Sequence, residues 1–183
     1  LVAGLSFAVL LGLALRLASA QGGIWTDEAW SVLYARDAGG PWGVISSINH
    51  DNNHHINSWW LQFVGADASS LAMRALSVAT STATILVAGL IGLRRGVATA
   101  IVTALLFALS PILVLYGSEA RGYAPMLLCF LLMIWTVLRW TEREEAPFPS
   151  LLLALFALIG AFSHLLMLPG VAIIGLWVLI LFA

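Results

Sequence analysis

Long apolar segments alternate with shorter polar ones along most of the chain. A helix needs about 20 predominantly apolar residues to cross the hydrocarbon core of a bilayer, and segments of that kind lie at 1–20, 71–93, 97–116 and 122–138. Residues 146–183 contain no Asp, Glu, Lys or Arg and suit two helices, which we expect to be interrupted at Pro169 and Gly170 in "SHLLMLPG". The pattern predicts an all-α polytopic transmembrane bundle with about six spans.

The polar segments between these spans differ in length. Residues 93–96 and 139–149 form short connections, whereas residues 21–70 form one long loop that is rich in tryptophan. Within this loop, "PWGVISSI" and "INSWWLQFVG" predict short helices at the membrane interface, because tryptophan side chains favour the headgroup level. We therefore expect residues 1–183 to form a single transmembrane module in which 21–70 is the main extramembrane part.

Composition narrows the class of protein. Hydrophobic residues make up 61% and charged residues 9% of the 183 positions, which is more apolar surface than one soluble core can bury. All eight basic residues are Arg and the formal net charge is -1, so no nucleic-acid partner is expected. The chain starts at Leu1 and stops within an apolar run, which leads us to expect the amino-terminal part of a longer protein.

Alternation of the spans places three polar regions on the same side of the membrane. These regions are the loop 21–70, the segment "YGSEARGY" at 116–123 and His164. Their side chains are therefore candidates to surround one cleft: Asp27, Glu28, His50, Asp51, His54, His55, Glu119, Arg121 and His164. This convergence is the main argument from the sequence for a functional site.

The adjacent carboxylates of Asp27 and Glu28 have two interpretations. Neighbouring acids raise each other's pKa by repulsion, and a desolvated carboxylate can accept a proton from a hydroxyl group or ligate a metal ion. Alternatively, acidic residues are favoured in the first turn of a helix, here with Thr26 as the N-cap. For an isolated Asp-Glu pair, the second interpretation is the more common one.

The stretch "INHDNNHHIN" contains a second group of candidates. His50 and His54 are four residues apart, as are Asp51 and His55, so on a helix either pair could bind a divalent metal ion. The intervening asparagines are poor helix-interior residues, which favours a loop whose side chains hydrogen-bond a sugar or an anionic ligand. A plain interfacial loop is the third alternative.

Glu119 and Arg121 lie at the start of an apolar span, at the level of a lipid phosphate. Arginine can hold a phosphate through two parallel hydrogen bonds, but a Glu-Arg ion pair that fixes the helix end explains the same residues. His164 is more often a hydrogen-bonded residue at a helix end than a catalyst. The local sequence leaves these alternatives open.

The order of these motifs resembles that in the amino-terminal half of the GT-C superfamily of membrane glycosyltransferases. An apolar span is followed by "IWTDEAWS", a loop rich in His and Asn, "LLFALSPILVLYGSEARGYA" and later "SHLLMLPG". The chain looks closest to the bacterial branch of protein O-mannosyltransferases and aminoarabinose transferases, and the likeness covers essentially all 183 residues.

The resemblance implies a function and roles for single residues. The donor would be a polyprenyl-phosphate sugar, the acceptor a lipid, a glycan or a protein, and the transfer would invert the anomeric carbon on the periplasmic face of the bacterial inner membrane. Asp27 would be the general base, Glu28 would position a substrate, and Glu119 and Arg121 would bind the donor phosphate. Relatives often carry a His-Pro-Pro motif in the first loop, but this chain has "HDNNHHIN", which leaves the roles of its histidines open.

Two other classes of membrane protein remain as alternatives. A secondary transporter also carries ionisable groups at membrane level, although it usually places them near the midplane on broken, repeated helices. A non-catalytic subunit that binds a polyprenyl lipid would need Arg121 but not Asp27. No cofactor is certain from the sequence, and a divalent metal ion is an open alternative.

Overall fold

The computed structural model describes residues 1–48, 54–143 and 146–182. These residues form an all-α fold with no strand, as the apolar pattern predicts. In chain order the helices are α1 (Val2–Ser19), α2 (Thr26–Asp37), α3 (Pro41–Ser46), α4 (His55–Val64), α5 (Ser70–Leu93), α6 (Val97–Leu109), α7 (Pro111–Tyr116), α8 (Tyr123–Thr141), α9 (Ser150–Ser163) and α10 (Met167–Phe182).

Three helices are long and apolar enough to cross a membrane, namely α1, α5 and α8. The other apolar helices, α6, α9 and α10, are shorter, so the number of six spans stays a prediction. The predicted span 97–116 is divided at Ser110, because Pro111 has no N–H to continue the hydrogen bonding of α6 and instead starts α7. The long apolar helices are compatible with a membrane protein.

The predicted break within "SHLLMLPG" is confirmed, but its assignment to Pro169 and Gly170 is wrong. Helix α9 ends at Ser163 and α10 begins at Met167, so the chain turns at His164 instead. Pro169 lies in the first turn of α10, where a backbone N–H has no partner within the helix and its absence costs little. Gly170 packs against the ring of Phe130 and is helical.

Helix α5 lies at the centre of the bundle, in contact with α1, α6 and α8, and α8 in turn packs against α9 and α10. Small residues permit the close approach of α5 and α6: Ala100, Ala104 and Ala108 are fully buried at intervals of four residues. A Cβ on Gly92 would lie 3.0 Å from the carbonyl oxygen of Thr99. Such small-residue contacts are typical of helix pairs in membranes.

A buried arginine joins α1 to the end of α6. Arg16 is 1% exposed, and its guanidinium donates hydrogen bonds to Ser81 and to the carbonyl oxygens of Gly12, Phe107 and Ala108. Two of these carbonyls belong to the last turn of α6, where the helix dipole is negative and the carbonyls lack partners within the helix. Arg16 therefore caps α6 and joins it to α1 and α5.

The two ends of the bundle have different structures. At one end, Arg94 donates to the carbonyl of Leu138 and forms an ion pair with Glu142 at 2.8 Å, which joins the two short connections. The long loop at the other end contains α2, α3 and α4. The predicted short helices of that loop are present as α3 and α4, and α4 packs against α5 and α9.

Candidate active site

The adjacent carboxylates lie in the first turn of α2. Thr26 is the first helical residue, so the prediction that it is the N-cap is wrong. The capping acceptor is instead the carboxylate of Glu28, whose Oε2 accepts a hydrogen bond of 3.1 Å from the backbone N–H of Trp25. Such back-bonding by a Glu at the third helical position is common at helix starts. Asp27 and Glu28 thus both lie in the first turn of α2.

Glu28 is fully buried and paired with an arginine that the sequence analysis did not select. Arg74 on α5 donates to Oε1 of Glu28 at 2.7 Å and to Oε2 at 2.6 Å, a two-pronged ion pair. The remaining Arg74 donors bind the carbonyl oxygens of Ala20, Gly22 and Gly23. The pair therefore ties the end of α1, the start of α2 and α5 together.

The pKa of Glu28 lies below the usual value for a glutamate. Burial alone would raise this pKa, but the hydrogen bonds from Arg74, Ala120 and Trp25 and the positive charge of Arg74 together outweigh it. Glu28 is thus a carboxylate whose oxygens are occupied by protein donors. Its contacts are those of a residue that holds the site in place.

The segment between α7 and α8 is held from three sides. Oε1 of Glu28 accepts from the N–H of Ala120 at 2.8 Å, and Nδ2 of Asn57 donates to the Ala120 carbonyl at 2.6 Å. The hydroxyl of Ser77 donates to the carbonyl of Arg121 at 3.1 Å. A Cβ on Gly122 would overlap the carbonyl oxygen of Ser163, so only glycine fits there. These contacts fix the direction of the Arg121 side chain.

Arg121 is shared between two acidic side chains. Its Nη1 lies 3.1 Å from Oδ2 of Asp27 and 3.8 Å from Oε2 of Glu119. The guanidinium also stands over the ring of Tyr123, 4.9 Å from its centroid, where the ring face stabilises a cation. The Arg121 side chain is 13% exposed and that of Asp27 is 44% exposed, so Asp27 is the part of this cluster that meets solvent.

Glu119 lies deeper than Asp27. Its side chain is 6% exposed and its Oε2 has no hydrogen-bond partner. Burial raises the pKa of Glu119 to about 7, against the opposing effect of Arg121. Glu119 also lines a cavity of about 460 Å³, together with Arg74, Trp25 and Ser118. A group that titrates near neutral pH beside a cavity is a common feature of functional sites.

Two histidines and two tyrosines form an aromatic group beside Arg121. His54 stacks on His164 with the ring centroids 4.9 Å apart, and Tyr123 contacts His164 at 4.3 Å and Tyr116 at 4.5 Å. Burial, with repulsion from His164 and Arg121, lowers the pKa of His54 to about 3. Burial and the charge of Arg121 also lower the pKa of His164, whose Nδ1 accepts from the N–H of Leu166. Both imidazoles are thus neutral at pH 7.

The remaining predicted site residues are His50, Asp51 and His55. His55 begins α4 and lies with its ring 5.3 Å from that of Phe162, and burial lowers its pKa. His50 and Asp51 lie outside the described residues. Within the described ranges, no three His, Cys, Asp or Glu side chains are grouped closely enough to hold a metal ion. The metal site stays a prediction.

Sequence reasoning missed three residues that build the site: Arg74, Asn57 and Ser77. Arg74 carried a usable signal, because a lone arginine near the start of an apolar span is costly without a partner. Asn57, which is fully buried, lies one turn after His54 in α4. Ser77 is one of many small polar residues in α5, and nothing in the sequence distinguishes it.

The structure brings the two predicted groups together. Asp27, Glu28, Glu119 and Arg121 form one charged cluster, and the aromatic group with His54 and His164 adjoins it through Tyr123, whose ring lies under Arg121. No protein-family model, curated protein or solved structure matches the chain. The likeness to the GT-C superfamily therefore stays a prediction from the motifs.

Proposed function

We propose that the protein is a membrane glycosyltransferase that moves a sugar from a polyprenyl-phosphate donor to a hydroxyl or similar group of an acceptor, with inversion. The observation that carries the proposal is the contact of 3.1 Å between Asp27 and Arg121. In this contact, the solvent-exposed carboxylate of Asp27 lies beside the largely buried guanidinium of Arg121. Asp27 follows α1, the first span, and Arg121 precedes α8. A base and a phosphate-binding cation are the two groups that this transfer needs.

Arg121 suits the donor phosphate. Its guanidinium is largely buried, and hydrogen bonds with three other parts of the chain hold the backbone of this segment, so little reorganisation is needed when a ligand binds. Arg121 precedes the apolar helix α8, so a phosphate bound there can leave its polyprenyl chain in the bilayer. Binding of a phosphate would also draw Arg121 away from Asp27.

Asp27 suits the acceptor. In the proposed step, the acceptor oxygen forms a bond to the anomeric carbon while the bond from that carbon to the phosphate oxygen breaks. The electron pair leaves with the polyprenyl phosphate, and the proton of the acceptor hydroxyl passes to Asp27. Attack from the face opposite to the phosphate gives inversion in a single displacement. No metal ion takes part in this account.

A non-catalytic subunit that binds a polyprenyl lipid is the second candidate. The observation in its favour is the same ion pair, because a carboxylate engaged by Arg121 is less available as a base. One result distinguishes the two functions: a binding subunit retains the polyprenyl-phosphate sugar but transfers no sugar to an acceptor.

The test uses membranes that contain the full-length protein and radiolabelled polyprenyl-phosphate sugars. Wild-type protein should transfer label from one of these donors, and Arg121→Gln should lower the transfer by about 10²-fold, as for the loss of one stabilising donor at a developing charge. Arg36→Gln is the matched control, since Arg36 is an exposed arginine on α2 that pairs with its neighbour Asp37.

Three results would contradict the proposal. Absence of transfer from every donor excludes the enzyme, and bound donor without transfer favours the binding subunit. Equal transfer by Arg121→Gln and wild type removes Arg121 from the mechanism.

The predicted sidedness has its own test. A cysteine introduced at the exposed Ser46 should react with an impermeant thiol reagent from the periplasmic side, and one at the exposed Thr141 should not. Reaction in the opposite sense would contradict the proposed periplasmic orientation.

A further inference from the structure

Three acidic and two basic side chains of the described residues meet at the site. Glu28 pairs with Arg74, and Asp27 and Glu119 both lie close to Arg121. Asp27 is the nearer partner and Glu119 is the buried one. An anion that binds to Arg121 therefore meets a second, buried carboxyl group whose charge would repel it.

The geometry around Glu119 offers a way to remove that repulsion. Its Oε2 lies 3.8 Å from Nη1 of Arg121 and has no hydrogen-bond partner. A ligand oxygen about 2.8 Å from each atom would satisfy both of them, and since Oε2 is buried, the Glu119 side chain must shift slightly for the ligand to reach it. A carboxylate can only accept hydrogen bonds, whereas a protonated carboxyl group donates one. In its neutral form, Glu119 would thus add a donor to Arg121 instead of a competing charge.

We propose that Glu119 is a proton-dependent part of the anion site: in its protonated form it donates a hydrogen bond to a phosphodiester held by Arg121, so that binding takes up a proton. The inference rests on the proposed function and adds the protonation state in which the site binds its donor. The phosphodiester chemistry is common to a polyprenyl-phosphate sugar and to an ordinary phospholipid headgroup.

The charged groups that face Glu119 support this assignment. They are Asp27 and Glu28 on α2, Arg74 on α5, and Arg121 beside it in the chain. Burial opposes ionisation of Glu119, and so do the negative charges of Glu28 and Asp27. The carboxyl group is therefore about half protonated near pH 7. A bound phosphate would bring one more negative charge and favour the proton further. Glu119 also lines a cavity, on the side of Trp25 and Arg74.

The test measures binding of a phosphodiester as a function of pH. A short-chain isoprenyl phosphoryl sugar is suitable, because a phosphodiester does not itself titrate between pH 5 and pH 9. Calorimetric titration into the full-length protein in nanodiscs, in two buffers of different ionisation enthalpy, gives both the affinity and the number of protons taken up.

For wild-type protein, we expect an affinity that falls about tenfold between pH 6 and pH 8, as linkage predicts for a group that titrates near pH 7. Uptake at pH 8 should approach one proton. Glu119→Gln keeps a donor but cannot titrate, so its affinity should be the same at both pH values with no proton uptake. Glu142→Gln, at the opposite end of the bundle, is the matched control and should behave like wild type.

Each outcome decides the matter. Binding by wild type that is independent of pH, or pH dependence that persists in Glu119→Gln, overturns the proton-coupled site and leaves the proposed function intact. A parallel titration with short-chain phosphatidylglycerol separates the two sources. If only that lipid binds with proton uptake, the site stands and the proposed donor does not. If neither ligand binds at any pH, both proposals fail.

Discussion

Asp27 and Glu28 are neighbours in sequence and opposites in environment. Glu28 is fully buried, accepts four hydrogen bonds and pairs with Arg74 through both oxygens. Asp27 is 44% exposed and pairs with Arg121 through one oxygen at 3.1 Å. Successive residues of an α-helix point about 100° apart. The Glu28 side chain therefore points into the bundle, while the Asp27 side chain lies at its solvent-exposed end. The two adjacent acids therefore have different environments. Glu28 is held by protein donors inside the bundle, and Asp27 is accessible to a ligand.

The largest effect should follow the loss of the buried charge at Glu28. Glu28→Gln leaves Arg74 as a buried cation without a counter-charge, and breaking a buried ion pair in this way costs about 3–5 kcal/mol. We expect a strongly lowered thermal midpoint, measured by fluorescence-detected gel filtration of heated samples in detergent. A midpoint equal to that of wild type would show that Glu28 does not hold the site together.

The next effect concerns the pH dependence of stability. Burial raises the pKa of Glu119 from 4.5 to about 7. The folded state therefore binds more protons than the unfolded state between these values, and stability should fall by about 3 kcal/mol as the pH rises from 4.5 to 7. The contribution should level off only above about pH 8, where Glu119 is ionised in both states.

Glu119→Gln should remove this decline, which thermal midpoints between pH 4.5 and pH 8 would reveal. Glu28 contributes in the opposite sense and in a different window, because its lowered pKa stabilises the fold above 4.5 and this stabilisation is lost below that pH. Equal slopes in wild type and Glu119→Gln would contradict the assignment to Glu119.

A smaller effect is expected at the hydrogen bond that holds the segment between α7 and α8. Asn57→Ala leaves the carbonyl of Ala120 without its donor, which costs about 1–3 kcal/mol for a buried acceptor. The thermal midpoint should fall, but less than for Glu28→Gln. Asn57→Asp is a useful second variant, since it keeps the volume and loses the amide donor. An unchanged midpoint in both would mean that Asn57 does not help to fix this segment.

The smallest change in stability should come from Asp27 itself. Asp27→Asn removes one exposed ion pair, and such pairs contribute about 0–1 kcal/mol. Its thermal midpoint should therefore stay close to that of wild type and of the exposed-surface variant Asp37→Asn. A loss as large as that of Glu28→Gln would erase the distinction between the two neighbours.

The apolar pattern was sufficient to predict where the long helices lie. Helices occupy the predicted spans, although 97–116 is divided at Ser110, and Asp27, Glu119 and His164 lie at the same end of the bundle, as alternation of the spans predicts. The prediction failed where local rules depend on position within a helix. Pro169 interrupts nothing because it occurs in a first turn, where its missing N–H is not needed.

The partners of the two acids could not be predicted from the sequence. In the sequence, Asp27 and Glu28 differ by one methylene group, and Arg74 lies 46 residues away from its partner in the hydrogen bond. Only the packing of α2 against the rest of the bundle decides which carboxylate meets Arg74. The raised pKa of Glu119 likewise depends on burial, and burial of a loop residue is not readable from its neighbours.

We propose that Asp27 performs the chemistry while Glu28 holds the site. The most direct test compares transfer of labelled sugar by full-length wild type and Asp27→Asn, with donor binding measured on the same membranes. The account predicts a loss of transfer of at least about 10²-fold, the usual contribution of a general base, with donor binding and folding preserved. Equal transfer by the two proteins would contradict it.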